Sequence, residues 1–114
     1  MDIGTYAKRL PEAIRSDFIS AMDAYAADNN GIVDASMLSN METLYNTVYK
    51  ALGKFGTREL TNAITAGRNA GNDIGDLISA FSTIDWTAEN LTYEEFVQKL
   101  EAAGINVEGM DSAL

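Results

Sequence analysis

The chain has neither cysteine nor histidine. The first absence removes disulfides, thiolate catalysis and cysteine-based zinc or iron–sulfur sites, and the second removes the commonest general base and the commonest transition-metal ligand. An enzyme would have to work with carboxylates alone, so the expectation is a non-enzymatic protein without metal or cofactor. Lack of cysteine leaves the redox compartment open. No apolar run reaches the length of about 18 residues that a membrane helix needs. The opening Met1–Tyr6 has neither the basic start nor the apolar core of a secretion signal, so a soluble, cytoplasmic protein is expected. Proline occurs once, at Pro11. Alternating strand patterns, internal repeats and low-complexity segments are missing too.

Basic residues are scarce where acids are dense. From Asp73 onward nine acids face Lys99 alone, so the last third carries −8 of the total charge of −9. Before Asp73, eight acids nearly balance seven bases, and Lys50, Lys54, Arg58 and Arg68 cluster with only Glu59 among them. A charge this uneven disfavours nucleic acid and anionic membrane as direct partners and favours a basic protein surface. Asp85, Glu89 and Glu94 are the acids marked for such a contact.

The residues that are present read as helix. Ile3, Tyr6 and Leu10 suit a short packed lead-in, and Pro11 suits a first helical position. Leu10, Ile14, Phe18, Met22 and Tyr25 then recur at steps of four and three, which predicts a helix from about Pro11 to Ala26. It stops at Asp28-Asn29-Asn30-Gly31. With Asp34 or Ser36 as cap, Met37, Met41, Leu44, Val48 and Leu52 form the cleanest stripe in the chain, ended by Gly53. Tyr45 and Tyr49 flank that stripe, as a core edge or as a contact surface for a partner. Phe55 is expected to tuck inward, and Thr57 to cap the stretch that runs on to Phe81.

Between Thr57 and Phe81, Leu60, Ile64, Gly67, Gly71, Ile74, Ile78 and Phe81 keep the spacing of a helix seam. Ala63, Gly67, Gly71, Gly75 and Ser79 form a row of small residues at every fourth position. Read as one helix, the stretch presents a groove that a partner helix enters, and a methyl group on Gly75 destabilises the protein and weakens association. Read as two helices, Gly67, Asn69, Gly71 and Asn72 break it, with Asn72 or Asp73 capping the second. Both readings stand on the sequence. Trp86 is expected to be a core lid. Thr92-x-x-Glu95 is a capping box that starts a helix through Leu100, stopped at Gly104 with Ile105 as its hydrophobic contact. Residues 106–114 are expected to form a flexible tail on a single helical domain spanning 1–114. The fold class is all-α, a small bundle of four or five helices.

Asp28-Asn29-Asn30-Gly31-Ile32-Val33-Asp34 resembles the middle of an EF-hand calcium loop. With Gly31 as the turn glycine, Ala26 and Met37 occupy the first and last ligand positions, where the strongest ligands belong, so no calcium site is expected. Asp73 with Asp76, and Glu94 with Glu95, are the pairs open to carboxylate catalysis, and both read better as acids favoured in the first turn of a helix. No phosphate-cradling motif accompanies the glycines, and no small-molecule substrate is evident.

Two functions are compatible with this pattern. The first is a protein-interaction or assembly module that binds a protein partner, or itself, through Gly67, Gly71 and Gly75 or through Tyr45 and Tyr49. The alternative is an acidic inhibitor of phage type, of the anti-restriction or anti-CRISPR class, that blocks a nucleic-acid-binding site on an enzyme. Eight net charges mixed with core-facing apolar positions are moderate for a nucleic-acid mimic, which favours the first.

Overall fold

The computed structural model describes residues 2–87 and 92–108, and in them the chain forms five α-helices. Helix α1, Ile3–Ala7, is capped by Asp2, whose carboxylate accepts from Thr5 N–H at 2.8 Å. Pro11 opens a 3-10 turn, Glu12–Ile14, and α2 comes next as Arg15–Asp28. The helix expected from Pro11 thus begins with one tighter turn. Helix α3, Ala35–Asn69, is capped by Asp34, which accepts from Met37 N–H at 2.7 Å. Helix α4, Ile74–Ser82, is capped by Asp73, and α5, Tyr93–Ala102, by Thr92. In the expected capping box, Thr92 Oγ1 accepts from Glu95 N–H at 3.1 Å. At the end of α5, Ile105 N–H donates to the Leu100 carbonyl and Gly104 N–H to that of Glu101, the expected Schellman pattern.

Helix α3 is two arms, 35–52 and 54–69, joined at Gly53 with φ 73° and ψ −166°, a region that only glycine visits readily. Tyr45 and Thr61, each eight residues from Gly53, have their hydroxyl oxygens 2.7 Å apart. Along a straight helix they would be about 24 Å apart. The arms therefore fold back on each other about a single residue.

Other pairs fix the remaining directions. Thr57 meets Asp17, and Arg68 meets Asp28, both forty residues apart in sequence, so α2 and the second arm run parallel side by side. Phe18 packs edge-on to Tyr45 at 6.1 Å, and Tyr25 donates to Asp34 at 3.0 Å, so α2 and the first arm run antiparallel. Leu77 lies on Gly67, which makes α4 antiparallel to the second arm. Phe81 stacks on Phe96 at 5.8 Å while Asn106 bonds to Asn72, so α5 runs back along α4. From α2 onward, with the arms of α3 taken separately, successive helices alternate direction, giving a small all-α bundle with a core centred on Phe18, Met41, Tyr45, Ile64, Leu77, Phe81 and Leu100. Trp86 closes that core as the expected lid, its Nε1–H donating to the Phe81 carbonyl at 3.1 Å.

The seam from Thr57 to Phe81 is two helices. Gly71, at φ 94°, and Asn72 end α3, and Asp73 starts α4. No continuous small-residue groove exists, because the row turns a corner at Gly71. Thr57 is not a cap: it is fully buried within α3, where its hydroxyl donates to the Lys54 carbonyl at 2.9 Å, with the Asp17 carboxylate also in reach at 3.2 Å. Phe55, expected inside, is 73 % exposed. The tail expected from 106 begins with a held residue, since Asn106 bonds to both Asn72 and Ala70. Residues 109–114 lie outside the described residues.

Candidate interaction surface

At the Gly53 end of the bundle, an apolar pair stands in solvent. Leu52 is 50 % and Phe55 73 % exposed. Their exposure has two causes. Leu52 ends the first arm, four residues after Val48, at the edge of the bundle, whereas the second arm buries Gly56, Thr57, Leu60, Ala63, Ile64 and Gly67. In an uninterrupted helix Leu60 would lie about 120° around the axis from Val48, and Gly53 resets the phase so that Leu60 faces the core. Phe55, five residues before Leu60 on the second arm, lies about 140° around the axis from it and is left outside. Gly56 makes the tight turn fit, because a Cβ there would collide with Leu52 Cβ and stand 3.3 Å from Val48 Cγ1. Lys50, Lys54 and Arg58 are exposed on the same turns. The ion pairs among the described residues are Arg9 with Glu42 and Arg68 with Asp28, so these three cations keep their charge toward solvent.

The opposite end gathers the loop 29–34, the turn 70–73 and the Asn106 segment. Ile32 is 62 % exposed there. At the same end Asp34 and Asp73 cap α3 and α4, Asp76 lies in the first turn of α4, and Glu108 comes just after Asn106. Backbone N–H donation from Met37, with help from Ser36 and Tyr25, holds the Asp34 carboxyl below its ordinary pKa. The bidentate contact from Arg68, at 2.7 and 2.6 Å, does the same for Asp28. Arg68 is thereby neutralised, and the end is acidic. Both carboxylates of the EF-hand-like segment are thus committed, one to an ion pair and one to a cap. Among the described residues no three acids are grouped to hold a metal.

The residues marked in the sequence do not converge. Gly67 is buried and covered by Leu77 of the same chain, Gly71 sits in the turn, and Gly75 is half-buried in the first turn of α4. Tyr45 is fully buried, so it offers nothing to a partner. The Thr61 hydroxyl proton goes to the Thr57 carbonyl at 2.9 Å, so Tyr45 donates to Thr61 Oγ1, and burial raises its pKa. Tyr49 is half-buried at the edge of the core. Asp85 is exposed but folded onto Thr87, whose N–H and hydroxyl both donate to it, and Glu94 lies exposed in the first turn of α5. Glu89 lies outside the described residues. Leu52 and Phe55 were hidden from sequence reasoning because each fits a core pattern. The legible signal was Gly53 and Gly56 three apart around Phe55, which marks a turn too tight to cover it.

Comparison with protein-family models, curated proteins and solved structures finds no match to this chain.

Proposed function

We propose that the chain is a non-enzymatic protein-interaction module that binds through its helical surface at the Gly53 turn. The observation that carries this is the exposure of Leu52 and Phe55, one on each side of a turn whose backbone at Gly53 is in a conformation that essentially only glycine adopts. Large apolar side chains exposed within one turn of each other suit a contact surface. Lys54 and Arg58, exposed next to and one turn after Phe55 in the chain, favour a partner with acidic and apolar groups. Those cations also support this reading over an acidic inhibitor, which would present its contact through carboxylates.

A photoreactive aromatic residue placed at Phe55 tests the surface in the native host. Protein adducts are expected from position 55 and not from Ser20, which is exposed on α2. Equal labelling from both positions would remove the Gly53 turn as a contact surface.

A further inference from the structure

We propose that Asn30 is a site of spontaneous modification, at which its side-chain amide is displaced by the backbone nitrogen of Gly31 and the residue becomes aspartate or isoaspartate. Asn30-Gly31 is the one asparagine–glycine pair in the sequence. It lies in the loop between α2 and α3, where Asn30 is exposed and is the only residue other than glycine with positive φ, 57°, among the described residues. Gly31 has no side chain to obstruct its own nitrogen, and the space a Cβ would take is open. Other asparagines are held. Asn40, Asn46, Asn62 and Asn69 lie within α3, where the following N–H is tied into the helix ladder. The amides of Asn29, Asn72 and Asn106 donate to the carbonyls of Ile32, Gly67 and Ala70, and no such bond holds Asn30 among the described residues.

In the reaction the Gly31 N–H gives up its proton, the nitrogen bonds to Asn30 Cγ, and Nδ2 leaves as ammonia, closing a five-membered imide. Water then opens the ring at either carbonyl, so an amide is exchanged for a carboxylate with no other reactant. The turn holds the proton that must leave. Gly31 N–H donates to the Ala26 carbonyl at 2.7 Å, and the same end of α2 is tied to the second arm of α3 by the bidentate contact of Arg68 with Asp28. The reaction therefore runs from the form in which the last turn of α2 has opened. Its product works against closure, because a carboxylate at position 30 joins Asp28 at the negative end of the helix dipole, and isoaspartate lengthens the main chain ahead of the Gly31 amide.

Incubation of the full chain at about pH 7 and about pH 9 tests this, a window in which no side chain of ordinary pKa titrates in a chain without histidine or cysteine. Peptide mapping by mass spectrometry is expected to find the first amide-to-carboxylate change at Asn30, faster at the higher pH, with part of the product accepted by an isoaspartyl methyltransferase. The native chain is expected to react more slowly than the chain in guanidinium. Arg68→Gln, checked for folding by thermal melting, is expected to react at least ~2-fold faster than the native wild type. Asn30→Asp supplies the product's charge without ageing, should Arg68→Gln melt early, and is expected to speed hydrogen exchange at the Gly31 amide. First reaction at another asparagine, or a native chain that stays intact while the unfolded one reacts, overturns the site. Aspartate without isoaspartate overturns the ring route. A native rate equal to that in guanidinium, or unmoved by Arg68→Gln, overturns the gate, and unchanged exchange in Asn30→Asp overturns the effect of the product on the turn.

Discussion

A methyl group built on Gly67 would stand 2.6 Å from Leu77 Cδ2 and 2.9 Å from Cδ1. Leu77 is fully buried, so it has no free volume to retreat into. Gly67→Ala is expected to destabilise by about 1–3 kcal/mol in a denaturant melt. The loss should shrink in a Leu77→Ala background, and strictly additive losses would show that the methyl strikes something else. Gly53 is constrained differently. Nothing lies within 4 Å of a Cβ there, so alanine meets no neighbour and the whole cost is backbone. Gly53→Ala is expected to lose about 1–3 kcal/mol without a double-mutant coupling to Leu52 or Phe55. Gly75 differs again, since its nearest contact for a Cβ is the Asp73 cap oxygen at 3.0 Å, within its own helix start. Pressure on that cap opposes a gain of up to about 1 kcal/mol in helix propensity, and with no partner helix on Gly75, association should be unchanged.

Among the elements, the junction of α3, α4 and α5 depends on one primary amide. Asn72 Oδ1 accepts from Asn106 N–H at 2.9 Å, and its Nδ2 reaches the Asn106 carbonyl at 2.7 Å and the Gly67 carbonyl at 2.9 Å. The side chain thus pairs with Asn106 as a neighbouring strand would. Asn106 continues the chain of bonds, donating to Ala70 and accepting from Glu108 N–H. Asn72→Ala is expected to cost about 1–2 kcal/mol, because the partners are partly open to water. Hydrogen exchange at the Asn106 and Glu108 amides should accelerate, and unchanged exchange would mean that the segment is held by Ile105 alone. This junction could not be read from the sequence, since an asparagine after a glycine signals a helix end but not its partner. Helices α2 and α5, the stripe through Val48 and the caps at Asp34 and Asp73 were legible because their periodicity and capping chemistry are local. The direction of the second arm was not. It depends on a phase slip at Gly53 that leaves each half of α3 individually regular, and so Leu52 and Phe55 read as core.

For the molecule as a whole, the missing histidine and cysteine leave no side chain whose ordinary pKa lies between the carboxylates and the tyrosines. Stability is therefore expected to be nearly flat between about pH 5 and 9. The acid limb comes from carboxylates whose pKa falls on folding, among them Asp28 and Asp34, both below the ordinary 3.8. Their contribution is present above that value and is lost as pH falls through the lower folded pKa. Asp28→Asn should flatten this limb in a pH series of melts, and an unchanged slope would mean that the Arg68 contact does not persist in solution. At the alkaline end the sign reverses in cause. Tyr45 has its pKa raised above 10.0 by burial, so its neutral form supports the fold below that value, and the support is lost as pH rises past it. The turn at Gly53 also bears on how quickly this molecule assembles. Two arms joined through one residue meet with almost no loop to close, and each later helix packs antiparallel on the one before it. The order of folding is thereby biased toward the α3 hairpin as its earliest stable contact, at the microsecond-to-millisecond rates of chains rich in local contacts. In stopped-flow or temperature-jump kinetics, Gly53→Ala should then slow refolding more than it speeds unfolding. Loss of the Asn72 junction should do the opposite.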